Sequence, residues 1–262
     1  MIQNNIDGNF RQLYVTSSRR LADSVNAEFI KYTRGKNLEI LAYNASTAIS
    51  LERIKEVSSM MLSFFDLLLL IDKSASLPFF GHGGFTSDRY MRETDSSLKN
   101  DRYQVSLGQV DSKIFHICYY PHFNQTLSKV ADSLTLWTEF FSVIKGSDPS
   151  RLSDGRLSLE DYVSLASSRV SAFSKEERSL IYSGFLRYES MKHDRNEWDM
   201  MDFCHHVQKN LLKNCPIKFE KVYLDEVQDL NMFQISLFSI LGKHKDSFVF
   251  GGDTAQVLLY YQ

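Results

Sequence analysis

The chain has 262 residues, of which 43% are hydrophobic and 24% charged. This balance is typical of a globular protein with a full core, and it excludes a disordered tail, a collagen-like repeat and a coiled-coil rod. Thirty basic residues against thirty-two acidic ones give a net charge of −2, so any bound nucleic acid must meet a local basic patch.

The cysteines and the apolar segments indicate a compartment. Cys118, Cys204 and Cys215 show no CxxC spacing, which favours free thiols in a reducing environment. The N-terminus lacks the basic and apolar regions of a signal peptide. The most apolar run, 60–71, contains Asp66 and is shorter than the roughly twenty residues of a membrane span. We therefore expect a buried helix there, and a protein of the nucleus or cytoplasm with no membrane partner.

The N-terminal segment, residues 1–47, has the pattern of half a βαβ unit. The β-branched and aromatic run 11–17 predicts a strand. The sequence after it predicts a helix that ends near Gly35. Its apolar face is formed by Leu21, Val25, Phe29 and Tyr32.

The middle of the chain is mainly helical in pattern. Residues 48–118 are expected to form a helix, at about 48–72, followed by an exposed Gly-rich loop. Residues 119–215 are expected to form an all-helical insertion, with one helix over 133–146. Two further helix starts are marked by capping boxes, at Ser158 with Asp161 and at Ser174 with Glu177.

The last segment, residues 216–262, returns to an α/β pattern. Strands are predicted over 219–224 and 247–253, with an amphipathic helix over 232–242 between them. This interval suits a helical crossover between parallel strands. The chain as a whole is therefore predicted to be α/β, with a parallel sheet formed by its two ends.

The segment VYLDEVQDL, residues 222–230, carries two adjacent carboxylates at the end of an apolar strand. Open parallel sheets bind their ligands at this edge. Because side chains alternate along a strand, Asp225 and Glu226 can take different roles, one facing a Mg²⁺ ion and the other a water. An acidic pair at a strand end is also common on protein surfaces, so this motif alone does not identify a site.

A second motif, GGDTAQ at 251–256, closes the next predicted strand. Its two glycines allow the backbone to approach a ligand closely. Asp253 can accept a hydrogen bond, and Gln256 can donate one to a phosphate oxygen. Because parallel strands end at the same edge of a sheet, the two motifs together predict a single ligand site.

LDEVQD followed by GGDTAQ resembles motifs II and III of the UvrD-like superfamily 1 helicases, and LYVTSSRRLADSV resembles their motif Ia. Residues 188–203 resemble the helical segment that precedes motif II in that family. Residues 119–146 resemble the helicase region of large tetratricopeptide and ankyrin repeat-containing proteins. The resemblance implies an incomplete RecA-like (P-loop NTPase) parallel sheet with a large all-helical insertion, ATP and Mg²⁺ as cofactors, and single-stranded DNA or RNA as a partner.

The resemblance also implies a role for each matched residue. Asp225 would hold Mg²⁺, and Glu226 would activate the attacking water. Asp253 and Gln256 would bind the nucleotide, with Gln256 sensing the γ-phosphate as a catalytic residue. Thr16 and Ser17 would lie along the bound strand.

The sequence departs from the family pattern at both ends. No G-x-x-x-x-G-K-[ST] phosphate loop occurs in the 262 residues, and six residues follow Gln256. In the family that loop precedes motif Ia, and a second motor domain follows motif III. We therefore expect the remainder of the motor in a longer parent protein, and we expect this chain alone not to hydrolyse ATP.

Two other interpretations stay open. The chain could be a non-catalytic module that binds nucleic acid or protein on a degenerate helicase scaffold, or an unrelated helical protein with chance acidic pairs. A zinc site of Cys204, His205, His206 and Cys215 fits no common ligand spacing. Arg19 and Arg20 open the helix after the first strand and are candidate phosphate contacts, although arginines at a helix start are mostly solvated.

Overall fold

The structure is a computed structural model that describes eight stretches of the chain. They are residues 11–33, 40–41, 59–73, 75–80, 108–148, 152–167, 172–214 and 217–252.

The strands of these stretches form a five-stranded parallel sheet in the order β2-β3-β1-β6-β7 and a separate pair, β4-β5. Their bounds are β1 (Gln12–Thr16), β2 (Ile40–Leu41), β3 (Ser59–Ser63), β4 (Gln109–Val110), β5 (Trp198–Asp199), β6 (Lys221–Leu224) and β7 (Phe248–Phe250). The central strand β1 lies between β3 and β6, so the two ends of the chain meet in one sheet. The predicted α/β class with a parallel, RecA-like sheet is confirmed.

The third strand corrects a prediction. Residues 59–63 were expected within a helix, but they form β3, whose residues are all buried beside β1. A strand buried on both faces shows no alternation of polar and apolar residues, so its pattern resembles that of a buried helix. The helix begins only at Phe64, where Ser63 caps it by accepting a hydrogen bond from the Asp66 amide at 3.2 Å. Residues 48–58 lie outside the described stretches.

Helices pack against the parallel sheet, and the described residues between β4 and β5 in the sequence are mainly helical. Their bounds are α1 (Arg19–Thr33), α2 (Phe64–Asp72), α3 (Ser112–Ile114), α4 (Gln125–Val130), α5 (Ser133–Thr138), α6 (Leu159–Ser164), α7 (Lys175–Asp194), α8 (Met200–Asn214) and α9 (Met232–Ser239). Helices α3 and α5 continue as π-helical turns over Phe115–Tyr119 and Glu139–Ile144. The insertion is helical as predicted, except that β5 pairs with β4.

Two hydrophobic cores organise the described residues. The first lies against the parallel sheet and includes apolar side chains of α2, α8 and α9. The second lies within the helical insertion and is built mainly from α4, α5, α7 and the adjoining π-helical turns. The predicted capping box of Ser174 and Glu177 is present at the start of α7. No helix within the described stretches is long and apolar enough to cross a bilayer.

Candidate nucleotide site

The ends of β6 and β7 form one edge of the sheet, where backbone hydrogen bonds join the two predicted motifs. The Asp225 amide donates to the Val15 carbonyl at 2.8 Å, which continues the pairing of β6 with β1. On the other side, the Gly251 amide donates to the Leu224 carbonyl at 2.7 Å. The Val227 amide then donates back to the Gly251 carbonyl at 3.1 Å. The acidic motif is thus held between its two neighbouring strands.

The Asp225 carboxylate is partly buried and oriented by two neutral donors. The Tyr14 hydroxyl donates to Oδ2 at 2.5 Å, and the Glu226 amide donates to Oδ1 at 3.1 Å. Burial, together with the hydrogen bond to Asp225, raises the pKa of Tyr14 well above its ordinary value. Within the described part of the chain, no lysine or arginine forms an ion pair with Asp225. Its negative charge therefore stays available to a ligand.

Glu226 has an unusual backbone for a glutamate. Its φ of 54° and ψ of 43° lie in the left-handed region, where a side chain with a Cβ is strained. The Gln228 amide nitrogen donates a hydrogen bond to its carboxylate. A short helical turn, Val227–Asp229, follows directly. Strain of this kind persists where the surrounding structure enforces it, and it is concentrated at functional sites.

The two glycines after β7 permit the close approach of the two motifs. A Cβ on Gly251 would lie 3.0 Å from Asp225 Oδ1, and one on Gly252 would lie 2.6 Å from Gln228 Oε1. A Cβ at Gly251 would require the Asp225 carboxylate to shift slightly, and one at Gly252 would displace the Gln228 side chain. The predicted adjacency of the acidic motif and the start of GGDTAQ is therefore present. Asp253 and Gln256, the other predicted nucleotide-binding residues, lie outside the described residues.

The two predicted strand-contacting residues occupy different environments at the end of β1. Thr16 is 1% exposed, and its hydroxyl has no hydrogen-bond partner among the residues described. Ser17 is exposed, and its hydroxyl donates to Asp229 Oδ2 at 2.9 Å. The structure thus brings Ser17 to the acidic motif, whereas Thr16 points into the protein. Their contact with nucleic acid stays a prediction.

Arg19, a candidate phosphate contact, is engaged within the protein. Its Nη1 lies 3.6 Å from Asp66 Oδ1, a buried carboxylate on α2, and its Nε lies 3.7 Å from Asp23. The first contact links the start of α1 to the first turn of α2. Its partners are 47 positions apart along the chain, so no local pattern indicates it.

A cluster of charged side chains, of which Lys145, Lys192 and Asp199 are buried, lies between α7 and the start of α8. The carboxylates of Glu189, Asp199 and Asp202 have oxygens within 4.8 Å of one another. Lys145 Nζ lies 3.3, 2.7 and 2.5 Å from them in that order. Lys192 Nζ lies 2.8, 2.7 and 2.6 Å from them. The carboxylates have metal-ligand spacing, but the two ammonium groups already satisfy them.

The electrostatics of this cluster agree with a structural role. Burial by itself would raise the pKa of Asp199, but the two lysines hold that pKa well below its usual range. Burial would likewise lower the pKa of Lys145, whereas its carboxylate partners raise it well above its ordinary value. Tyr188 adds a hydrogen bond to Asp199 at 3.0 Å. Cluster members lie up to 57 positions apart in sequence, which is why no motif reveals them.

The described residues of the possible zinc site make separate contacts within the protein. His205 is buried, its Nε2 lies 3.0 Å from the Lys145 carbonyl, and burial with the nearby Lys145 charge lowers its pKa to about 4. Burial raises the pKa of the Cys204 thiol, which contacts Gln234. His206 Nε2 lies 3.0 Å from the Leu77 carbonyl. Cys215 lies outside the described residues, and the cysteine and histidines that are described form no joint metal cluster.

Comparison with known proteins gives two findings. The chain is 24% identical to a Homo sapiens protein, TPR and ankyrin repeat-containing protein 1, over an alignment of 284 positions. That alignment covers 95% of this chain but 10% of the human protein, so the chain spans about a tenth of the relative's length. The family model of the UvrD/REP helicase N-terminal domain matches residues 94–261, which is more than half of the chain. The chain therefore belongs to the UvrD/REP helicase N-terminal domain family.

Proposed function

We propose that this chain supplies part of an ATP-hydrolysing site in a helicase that acts on single-stranded nucleic acid. The observation that carries the proposal is the arrangement at the end of β6, where Asp225 and Glu226 stand beside the glycine pair that follows β7. Ligands of open parallel sheets bind at this edge. Family membership supports ATP and Mg²⁺ as the cofactors.

The donor set at the edge fits a Mg²⁺ ion. Asp225 offers a hard carboxylate oxygen, and within the described residues no protein cation neutralises it. A Cβ on Gly251 would fill space next to this oxygen, and the glycine leaves that space free. Protein sites for Mg²⁺ use one or two carboxylates, with phosphate oxygens and waters as the other ligands. When bound, Mg²⁺ neutralises the charge that develops on the phosphates during transfer.

Glu226 is proposed to orient the attacking water and accept its proton. The two carboxylates accept hydrogen bonds from different donors, Gln228 for Glu226 and the Tyr14 hydroxyl for Asp225, which suits separate roles. Gln228 holds the Glu226 carboxylate by a hydrogen bond. Phosphoryl transfer depends on positioning, so a base held by its neighbours suits this reaction. Asp253 is proposed to bind the nucleotide, and Gln256 to sense its γ-phosphate.

Binding of nucleic acid is proposed at the end of β1, where the exposed Ser17 would contact the strand, whereas Thr16 beside it is buried. The Ser17 hydroxyl bonds to Asp229, three positions after Glu226, so a strand held at Ser17 would be linked to the hydrolytic motif. The second motor domain and the phosphate loop are expected from the parent protein. The 262 residues contain no G-x-x-x-x-G-K-[ST] sequence, so this chain alone is expected to hydrolyse no ATP.

The test compares ATP hydrolysis by the full parent protein with that by this chain, with and without single-stranded oligonucleotide. In the parent, Glu226→Gln should lower the hydrolysis rate at least about 100-fold, because it removes the general base. ATP binding should be retained, because the substitution keeps the side-chain size. Glu160→Gln, at an exposed helix start, is the matched control and should change neither. A Glu226→Gln parent that hydrolyses ATP at the normal rate would contradict the proposal.

A second candidate function is a non-catalytic binding module. A gel-shift experiment with single-stranded oligonucleotide separates the two functions. Binding by this chain that needs no ATP and weakens steeply with salt would favour the module. Oligonucleotide-stimulated hydrolysis by the parent would favour the motor.

A further inference from the structure

A hydrogen bond between neighbouring strands determines the orientation of the Asp225 carboxylate. Strands β1 and β6 are parallel, with Tyr14 opposite Tyr223. Residues two apart on a strand face the same side of the sheet, so Tyr14, Tyr223 and Asp225 share one face. The Tyr14 side chain reaches along this face, and its hydroxyl donates to Asp225 Oδ2 at 2.5 Å.

The second oxygen of Asp225 is held as well. Oδ1 accepts a hydrogen bond from the Glu226 amide at 3.1 Å. With one bond to each oxygen, the carboxylate has little freedom to rotate. Each oxygen carries two lone pairs, so each keeps one acceptor position for a cation. Because both donors are neutral, the negative charge that attracts a cation is retained.

We propose that Tyr14 is a positioning residue, whose hydroxyl holds Asp225 in the orientation that binds a divalent cation. The inference rests on the proposed function, since it needs Asp225 to be a metal ligand. A side chain that is already oriented loses less conformational entropy when it binds. Hydrogen-bond partners of metal ligands typically contribute about 10- to 100-fold to metal affinity. Tyr14 is therefore expected to set the cation affinity of the site without contacting the cation.

The test is a Mn²⁺ titration of the 262-residue chain, with the free ion measured by its EPR signal. Tyr14→Phe removes only the hydroxyl and should lower the Mn²⁺ affinity about tenfold or more. Asp225→Asn should abolish binding at this site. Tyr223→Phe is the matched control: it removes a phenol hydroxyl from the same face, and within the described residues that hydroxyl has no hydrogen bond. Its Mn²⁺ affinity should equal that of the wild type.

The outcomes separate the inference from the function on which it rests. If Tyr14→Phe binds Mn²⁺ as tightly as the wild type or more tightly, while Asp225→Asn does not bind, the inference is overturned and the metal site stands. If Asp225→Asn leaves Mn²⁺ binding unchanged, or the wild type binds none, the metal site itself is wrong and the inference with it. Thermal unfolding of each variant establishes that the chain is folded.

A second measurement distinguishes positioning from a merely structural role. In the parent protein, Tyr14→Phe should raise the Mg²⁺ concentration for half-maximal ATP hydrolysis by about tenfold. The rate at saturating Mg²⁺ should stay close to that of the wild type, because the cation then restores the orientation of Asp225. A rate lowered equally at every Mg²⁺ concentration would show that Tyr14 only maintains the fold, and would overturn the inference.

Discussion

Two aspartates at strand ends, Asp199 and Asp225, differ in what surrounds them. Asp199 ends β5, is 1% exposed and contacts the ammonium groups of two lysines. Asp225 follows β6, is partly exposed and accepts hydrogen bonds from a phenol and a backbone amide. The first carboxylate has its charge balanced inside the protein, and the second keeps its charge for a ligand. The two carboxylates differ chiefly in their partners: charged ammonium groups contact the structural Asp199, whereas neutral donors contact Asp225, the candidate metal ligand.

The largest effect is expected from removing one lysine of the charged cluster around Asp199. Lys192→Met keeps the length of the side chain but removes a cation that faces three carboxylates. The three carboxylates would then share the one ammonium group of Lys145. Removing one partner of a buried ion pair typically costs about 3–5 kcal/mol, so the free energy of unfolding should fall by about that amount in urea denaturation. Lys31→Met removes an exposed lysine that pairs with Glu28 at 2.6 Å, and it should cost less than about 1 kcal/mol. If Lys192→Met and Lys31→Met lowered the free energy of unfolding equally, the structural role of the buried cluster would be contradicted.

A somewhat smaller effect is expected from pH, through His205 beside the same cluster. Burial lowers its pKa to about 4 in the folded protein, whereas an unfolded histidine binds its proton near pH 6.5. Between these values the unfolded state binds more protons, so stability falls as the pH drops from about 6.5 to 4. This contribution amounts to about 3 kcal/mol over the whole window.

The measurement is urea denaturation at pH 7 and pH 4.5. His205→Gln should show a smaller loss of stability between the two pH values than the wild type, because glutamine does not titrate. His116→Gln, which replaces an exposed histidine, should keep the wild-type loss. If the His205→Gln variant loses as much stability between pH 7 and pH 4.5 as the wild type, His205 does not contribute to that loss.

The smallest effect is expected at the nucleotide edge, where stability and function should change in opposite directions. Glu226→Gly relieves a left-handed backbone and should stabilise the fold by roughly 0.5–1 kcal/mol, while hydrolysis by the parent falls. Asn196→Gly is the matched control: Asn196 also has a positive φ, of 53°, but asparagine tolerates this region. It should be nearly neutral in thermal unfolding. A destabilised Glu226→Gly variant would show that side-chain contacts outweigh the strain.

Short sequence patterns predicted those elements that are formed by residues close together in the chain. The apolar strand before Asp225 and the capping box at Ser174 follow from short stretches of sequence, and both are present. The meeting of the two motifs at one edge of the sheet was also predictable, because the carboxyl ends of parallel strands lie on the same side of a sheet. Strand β3 was missed because its apolar run continues into α2 without a turn signal. The hydrogen bond of Tyr14 to Asp225 joins residues 211 positions apart, and no periodicity indicates such a pair.

The position of β1 at the centre of the sheet has a consequence for folding during synthesis. Its partner β6 follows about two hundred residues later, as in the bond of Arg11 to Glu220 across 209 positions. At about 5–20 residues per second, the ribosome needs on the order of 10–40 seconds to deliver β6. Among the described strands, β1 can until then pair with β3, and the edge that later binds β6 is open to other nascent chains. A chaperone that shields residues 12–16 during this interval should raise the yield of folded protein more than one that acts after release.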